Sequence, residues 1–234
     1  MNYSKINNLA GWVTFLIASI TYILTLEPST SFWDCGEFIA AAFKLQVVHQ
    51  PGAPLFLMVQ KMFSLLAFGD TAKIAYFMNV GSALCSGLTI LFLFWTITAL
   101  AKKVVAKPNA ELSKGQLISI IGSGLVGALA YTFSDSFWFN AVETEVYAMA
   151  TLIMSILFWL GLRWEQEMDK PRGHRWLILI SFVIGLSFGV HFMGLLTIPA
   201  IGLIYFFKNY KTVTIKNFII ANLVSVAVLL FVFK

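Results

Sequence analysis

The chain has 234 residues, 59% of them hydrophobic and 12% charged, with a net charge of +5. Soluble domains carry about 25% charged residues, so the composition excludes a water-soluble globular protein and points to an all-α polytopic membrane protein. The basic balance does not indicate nucleic acid, because lysines and arginines in such chains collect in cytoplasmic loops and set orientation.

Residues 10–26 form the first apolar run. Lys5 precedes it as in a signal peptide, but no small-x-small cleavage site follows and Glu27-Pro28 ends it, so it reads as an uncleaved span. Next comes Ser31–Phe38, "SFWDCGEF", two carboxylates three residues apart among aromatics. The rest of 27–72 is too apolar for a free loop. Its stretches "EFIAAAFKLQVV" and "PLFLMVQKMFSLLAF" have helical apolar spacing and flank "HQPGAP", which predicts two helices lying in the membrane interface. Further runs fall at 73–100, 117–133, 146–163, 177–207 and 217–233. A span needs roughly 20 residues, so 177–207 is too long for one upright helix and short for two. Gly189, His191, Gly194 and Pro199 predict a turn in its middle, giving about seven passes in all. No polar stretch is long enough to close a core of its own, so 1–234 reads as a single transmembrane domain.

Basic residues choose the orientation. Lys5, then Lys102, Lys103, Lys107 and Lys114, then Arg163, Lys170, Arg172 and Arg175, then Lys208, Lys211 and Lys216 fall on one face. The opposite face, 27–72 with 134–145, holds only Lys44 and Lys61. The amino terminus is thus expected in the cytoplasm and 27–72 outside it. Glu27, Asp34, Glu37, Asp70, Asp135, Glu143 and Glu145 also lie outside. Acids contribute little to topology, so this surplus suggests work done on that face.

Asp34 and Glu37 share a helix face, and two carboxylates that close in a partly dry place do not both ionise easily, which suits a base or acid near neutral pH. Ser31-x-x-Asp34 equally fits a capping box, in which the acid only satisfies a backbone N–H; spacing does not choose between these readings. His49 sits at the bend between the interfacial helices. Pro54 opens the second of them, whose free N–H groups would suit a phosphate. Glu143 and Glu145 precede the span at 146, where acids commonly complement the helix dipole. Phe137, Trp138, Phe139 and Tyr147 form an aromatic belt. His191 is the only ionisable residue among the central positions of 177–207, and ionisable groups at membrane depth mark function. His174, in a basic loop, needs no role. Cys35 and Cys85 have no Cys-x-x-Cys company, and no phosphate loop, zinc cluster, Ser-His-Asp set or nucleotide fingerprint is present.

The motifs "WDCGEFIAAAFKLQVVHQPGAPLFLM", "NAVETEVYAMATL" and "GLSFGVHFMGLL" make the chain resemble the DUF2723 family. These are multi-spanning proteins classed as glycosyltransferase family 117 and frequent in Bacteroidota-type bacteria, with an animal branch that looks like a protein O-mannosyltransferase. Members are usually longer, so the chain resembles their amino-terminal module. It departs at Gln50, where a second proline usually follows the histidine. The resemblance implies a GT-C-like bundle with interfacial helices in the first extracytoplasmic loop and an essential acid, matched by Asp34 with Glu37 beside it. It implies inverting transfer of a mannose-like sugar from a polyprenyl-phosphate carrier to an acceptor hydroxyl, Ser or Thr of an exported protein or peptide, outside the inner membrane. In that scheme His49, Glu143, Glu145, His191, Lys44 and Trp33 contact substrates, with Lys61 a further candidate for the leaving phosphate. The expected partners are the lipid-linked sugar, the acceptor and membrane lipids. No nucleic acid, metal or cofactor is expected. The competing readings are a transporter or lipid flippase, which predicts paired charges at the midplane and an internal repeat, and a non-catalytic scaffold of envelope assembly.

Overall fold

A computed structural model describes residues 2–106 and 111–233. Lys107, counted above with the lysine-rich loop, lies outside the described residues. Those residues are all-helical and contain no strand. The helices are α1 (Tyr3–Leu24), α2 (Cys35–Lys44), α3 (Pro54–Ser64), α4 (Ile74–Val105), α5 (Lys114–Thr132), α6 (Asp135–Ala141), α7 (Val146–Glu167), α8 (His174–Ser187), α9 (Thr197–Asn209) and α10 (Ile215–Phe233). Six helical segments, Tyr3–Leu24, Thr71–Val105, Lys114–Thr132, Val146–Glu167, Phe192–Asn209 and Ile215–Phe233, are long and apolar enough to cross a membrane. The chain is a polytopic membrane protein.

Local chemistry sets the ends. The Asn2 side chain accepts from the N–H groups of Ser4 and Lys5 and starts α1. Ser113 and Gln116 cap each other reciprocally at the head of α5. Pro54 occupies the first turn of α3, where its missing N–H is harmless.

The 32 residues of α4, about 48 Å at 1.5 Å per residue, form the axis on which α1, α5 and α7 pack. Lipid tails give helices no hydrophobic drive to associate, so close approach of small residues does the work. Gly87 of α4 lies against Ser19 of α1, and Gly124 of α5 against Phe94 and Thr98 of α4. A side chain at either glycine would push the helices apart.

The run 177–207 breaks as predicted. After α8 the chain turns at 188–191, makes a short 3-10 segment (Phe192–Leu196), and returns as α9. At 14 residues α8 spans about 21 Å, less than the roughly 30 Å of hydrocarbon, so six segments rather than the expected seven are long enough to cross. The two helices expected at the membrane interface, α2 and α3, pack against each other and against α4. One element was not predicted: α6, which places Phe137 and Trp138 against Tyr22 of α1. Two rings of the expected aromatic belt are therefore packing between helices.

Candidate functional site

The site is built at the start of α2. Trp33 turns the chain in the left-handed region (φ 61°) and leaves its ring 88% exposed. Asp34 follows as the N-cap residue of α2, yet its side chain makes no capping bond. The capping-box alternative is therefore excluded, and the Asp34 carboxylate is available for other work. Glu37, in the first turn, does not reach back to the cap either. Its Oε1 accepts from the His49 backbone N–H at 2.7 Å, and its Oε2 contacts His49 Nδ1 at 2.8 Å. The other ring nitrogen, Nε2, stands 3.9 Å from Asp34 Oδ2. One imidazole thus bridges the two carboxylates.

Each step of that geometry has a local cause. Leu45 ends α2 in the left-handed conformation, and Gln46 N–H bonds back to the Ala41 carbonyl, a Schellman-like stop that reverses the chain. Val48 is buried and holds the return strand of backbone. The His49 ring then rests on Phe38, which itself packs on Phe56 of α3. The contact with Glu37 raises the His49 pKa above its ordinary 6.5, and the same contact holds Glu37 below 4.5. Asp34, Glu37 and His49 offer donor atoms all within 4.8 Å of one another, a set that could hold a divalent cation.

Behind this exposed cluster lie buried acids. Glu143 and Glu145 are 3% and 6% exposed. Neither sits within the first turn of α7; Glu145 is its N-cap residue and makes no side-chain cap. The dipole reading stays open for Glu145, which stands at the N-terminal end of α7. The Cys35 thiol contacts Glu145 Oε1 at 3.6 Å. Burial pushes the Glu145 carboxyl up, and burial with the two neighbouring acids pushes the Cys35 thiol up. Neither carboxylate has a salt-bridge partner among the described residues.

Thr144, between them, donates to Asn79 Oδ1, and Asn79 Nδ2 donates to the carbonyls of Glu27 (2.8 Å) and Ser29 (3.1 Å). Asn79 thus ties the segment leading to Asp34 onto α4. Sequence reading missed it. The available signal was that it is the only carboxamide in the run 73–100.

The remaining candidates are sorted by placement. His191 packs on the Tyr147 ring with centroids 5.5 Å apart, and its Nδ1 accepts from Met193 N–H, capping the 3-10 segment. The N–H groups of Leu55 and Phe56, expected to be free for a phosphate, both donate to the Gly189 carbonyl at 2.7 and 3.1 Å. That expectation is corrected: the head of α3 is filled by the turn carrying His191. Lys44 lies at the far end of α2, ten residues or about 15 Å from Asp34. Lys61 donates to the Phe43 carbonyl and lies over its ring.

A family model described as the protein O-mannosyl-transferase TMEM260 N-terminal domain matches residues 34–214. The chain belongs to that family. The match begins at Asp34 and takes in α2 through α9. The chain is also 26% identical over 196 residues to "Protein O-mannosyl-transferase tmem260" of Dictyostelium discoideum, covering 79% of this chain and 22% of that protein. It is 26% identical over 174 residues to the Mus musculus protein of the same name, covering 74% and 22%. The chain therefore spans about a fifth of the length of the curated relatives it matches. No solved structure matches. Family membership agrees with the O-mannosyltransferase-like branch of the resemblance drawn from the motifs.

Proposed function

We propose that the Asp34–Glu37–His49 cluster is the centre of a membrane glycosyltransferase. It would transfer a mannose-like sugar from a polyprenyl-phosphate carrier to a Ser or Thr hydroxyl of an exported protein, on the extracytoplasmic face of the inner membrane. The observation that carries this reading is the uncapped, exposed Asp34 carboxylate facing an imidazole that Glu37 holds from behind. The relatives' printed names supply the sugar and the protein acceptor. The motifs supply the finer assignment to DUF2723, glycosyltransferase family 117 and an inverting GT-C mechanism.

In this scheme the acceptor oxygen attacks the anomeric carbon as the bond from that carbon to the phosphate oxygen breaks. Asp34 takes the hydroxyl proton, and the carrier leaves as its phosphate. His49, held as imidazolium by Glu37, is the cation next to the departing charge. Lys44 and Lys61 stand apart from that step, and His191 contributes through the turn rather than as a charge. Trp33 and Tyr147 present exposed rings at the rim, suited to the faces of a sugar. The site's acids outnumber its cations, which favours activation of a neutral hydroxyl at Asp34 over tight capture of an anion. Membranes bearing the chain, given radiolabelled polyprenyl-phosphate mannose and a Ser/Thr peptide, are expected to label the peptide; carrier binding without labelling would favour the scaffold reading.

The pH dependence follows from the Glu37–His49 contact. His49 has a raised pKa, so the imidazolium is fully present below 6.5 and is lost as pH rises through the raised value. Glu37 has a lowered pKa, so its charge is present above 4.5 and is lost as pH falls through the lower value. Transfer is expected to decline on the alkaline side, and Glu37→Gln to move that decline toward lower pH. Superimposable kcat/KM profiles for the two proteins would remove His49 from the step.

The scheme uses no metal. Dialysis against a chelator is expected to leave transfer unchanged. Loss of activity that is restored by Mn2+ or Mg2+ would reassign the cluster as a cation site.

A further inference from the structure

The segment 142–145, just ahead of α7, grips the chain that carries Asp34 at three points. The Glu27 N–H donates to the Val142 carbonyl at 3.2 Å. Thr144 donates to Asn79, which in turn holds the Glu27 and Ser29 carbonyls. Past Asp34, the Cys35 thiol donates to Glu145 Oε1 at 3.6 Å. The first two holds act upstream of Asp34, on the approach to it. The third acts on the residue that follows it directly.

That third hold joins two buried groups. Cys35 is fully buried and Glu145 nearly so, and a buried carboxyl is costly unless it is bonded or paired. No cation pairs with Glu145 among the described residues; the thiol is what meets it. Burial and the two neighbouring acids push the thiol pKa up, so Cys35 keeps its proton and remains a donor. Asp34, by contrast, makes no capping bond, and its Oδ2 stands 3.9 Å from His49 Nε2. Its own side chain does not anchor it. The carboxylate stands where its backbone is held, and Cys35 is the adjacent residue at which that backbone is tied to the head of α7.

We propose that Glu145 is a positioning residue for the transfer proposed above, on which this role rests: it fixes where Asp34 stands against His49 by taking the Cys35 S–H. Two other roles are open to a buried acid at this place, and each makes a different demand. A complement to the α7 dipole needs the negative charge. A substrate contact needs accessible oxygens, and Glu145 is buried. Positioning needs only an acceptor at 145 and a donor at 35.

The test uses the whole chain in nanodiscs, with polyprenyl-phosphate mannose and a Ser/Thr peptide, and reads kcat and KM separately. A misplacement of 1 Å costs about 10²-fold, so Glu145→Ala and Cys35→Ala, which loosen the hold by less, are each expected to lower kcat about tenfold with KM unchanged. Combining Cys35→Ala with Glu145→Ala is expected to cost no more than either change alone, because both remove one contact. Glu145→Gln keeps an acceptor oxygen and Cys35→Ser keeps a donor, and both are expected to recover most of the loss. Multiplying losses in the double variant, a change confined to KM, or a Glu145→Gln as impaired as Glu145→Ala overturns the role. If Glu145→Ala does not fold, Cys35→Ala decides, and an unchanged kcat there overturns the role by itself. Absence of transfer by the wild type refutes the proposed function and the positioning role with it, whereas wild-type transfer matched by Cys35→Ala refutes the positioning role alone.

Discussion

Asp34→Asn is expected to lower the proposed transfer by about 10³-fold, within the range that removal of a positioned base produces, and to leave the fold intact. The second half of that expectation follows from the geometry. Asp34 makes no capping bond and is exposed, so the amide replaces a group on which no helix depends. The exchange also keeps the size of the side chain, and His49 stays bonded to Glu37. Labelled-peptide yield and thermal unfolding of the purified variant check the two halves separately. Full activity in the variant removes Asp34 from the mechanism, while a large loss of stability makes it a structural acid instead.

Asn79→Ala acts through positioning. It leaves the Glu27 and Ser29 carbonyls and the Thr144 hydroxyl without their partner. Leaving a buried polar group unsatisfied costs about 1–3 kcal/mol, so a loss of about 3 kcal/mol is expected in all. Thr144→Val removes a single bond and is expected to cost about 1 kcal/mol. The proposed transfer is expected to fall with Asn79→Ala because the segment that ends at Asp34 is no longer tied to α4, with both KM and kcat affected. Equal melting temperatures and equal rates for Asn79→Ala and wild type would show that the segment is held by packing alone.

The outline of this protein was readable because membrane constraints are written along the chain. Runs of about twenty apolar residues and a proline-flanked bend leave few arrangements, and the hairpin in 177–207 and the helix pair α2 and α3 follow from them. Asp34 and Glu37 could be placed on one face because a helix fixes the spacing of neighbours. What periodicity does not carry is contact across the fold. Glu37 meets His49 only because α2 stops at Leu45 and reverses, and nothing in the spacing of twelve residues requires that. The burial of Glu143 and Glu145 was hidden for a related reason, since acids ahead of a span look alike whether they face water or Cys35. Asn79 was lost in an apolar run whose average it barely alters. Pro54 misled in the opposite sense: it marks a helix start correctly, but a start is an anion site only while its N–H groups are free, and a carbonyl 134 positions downstream of Leu55 takes them.

That carbonyl has a mechanical consequence. Gly189 bonds both leading amides of α3, so the returning hairpin and the histidine bend cannot part without stranding two donors where few replacements exist. They must travel as one piece. Any tilt of α8 or α9 would therefore shift the imidazole against Asp34 in the same motion, and under the proposed function donor docking and alignment of the carboxylate would be one event.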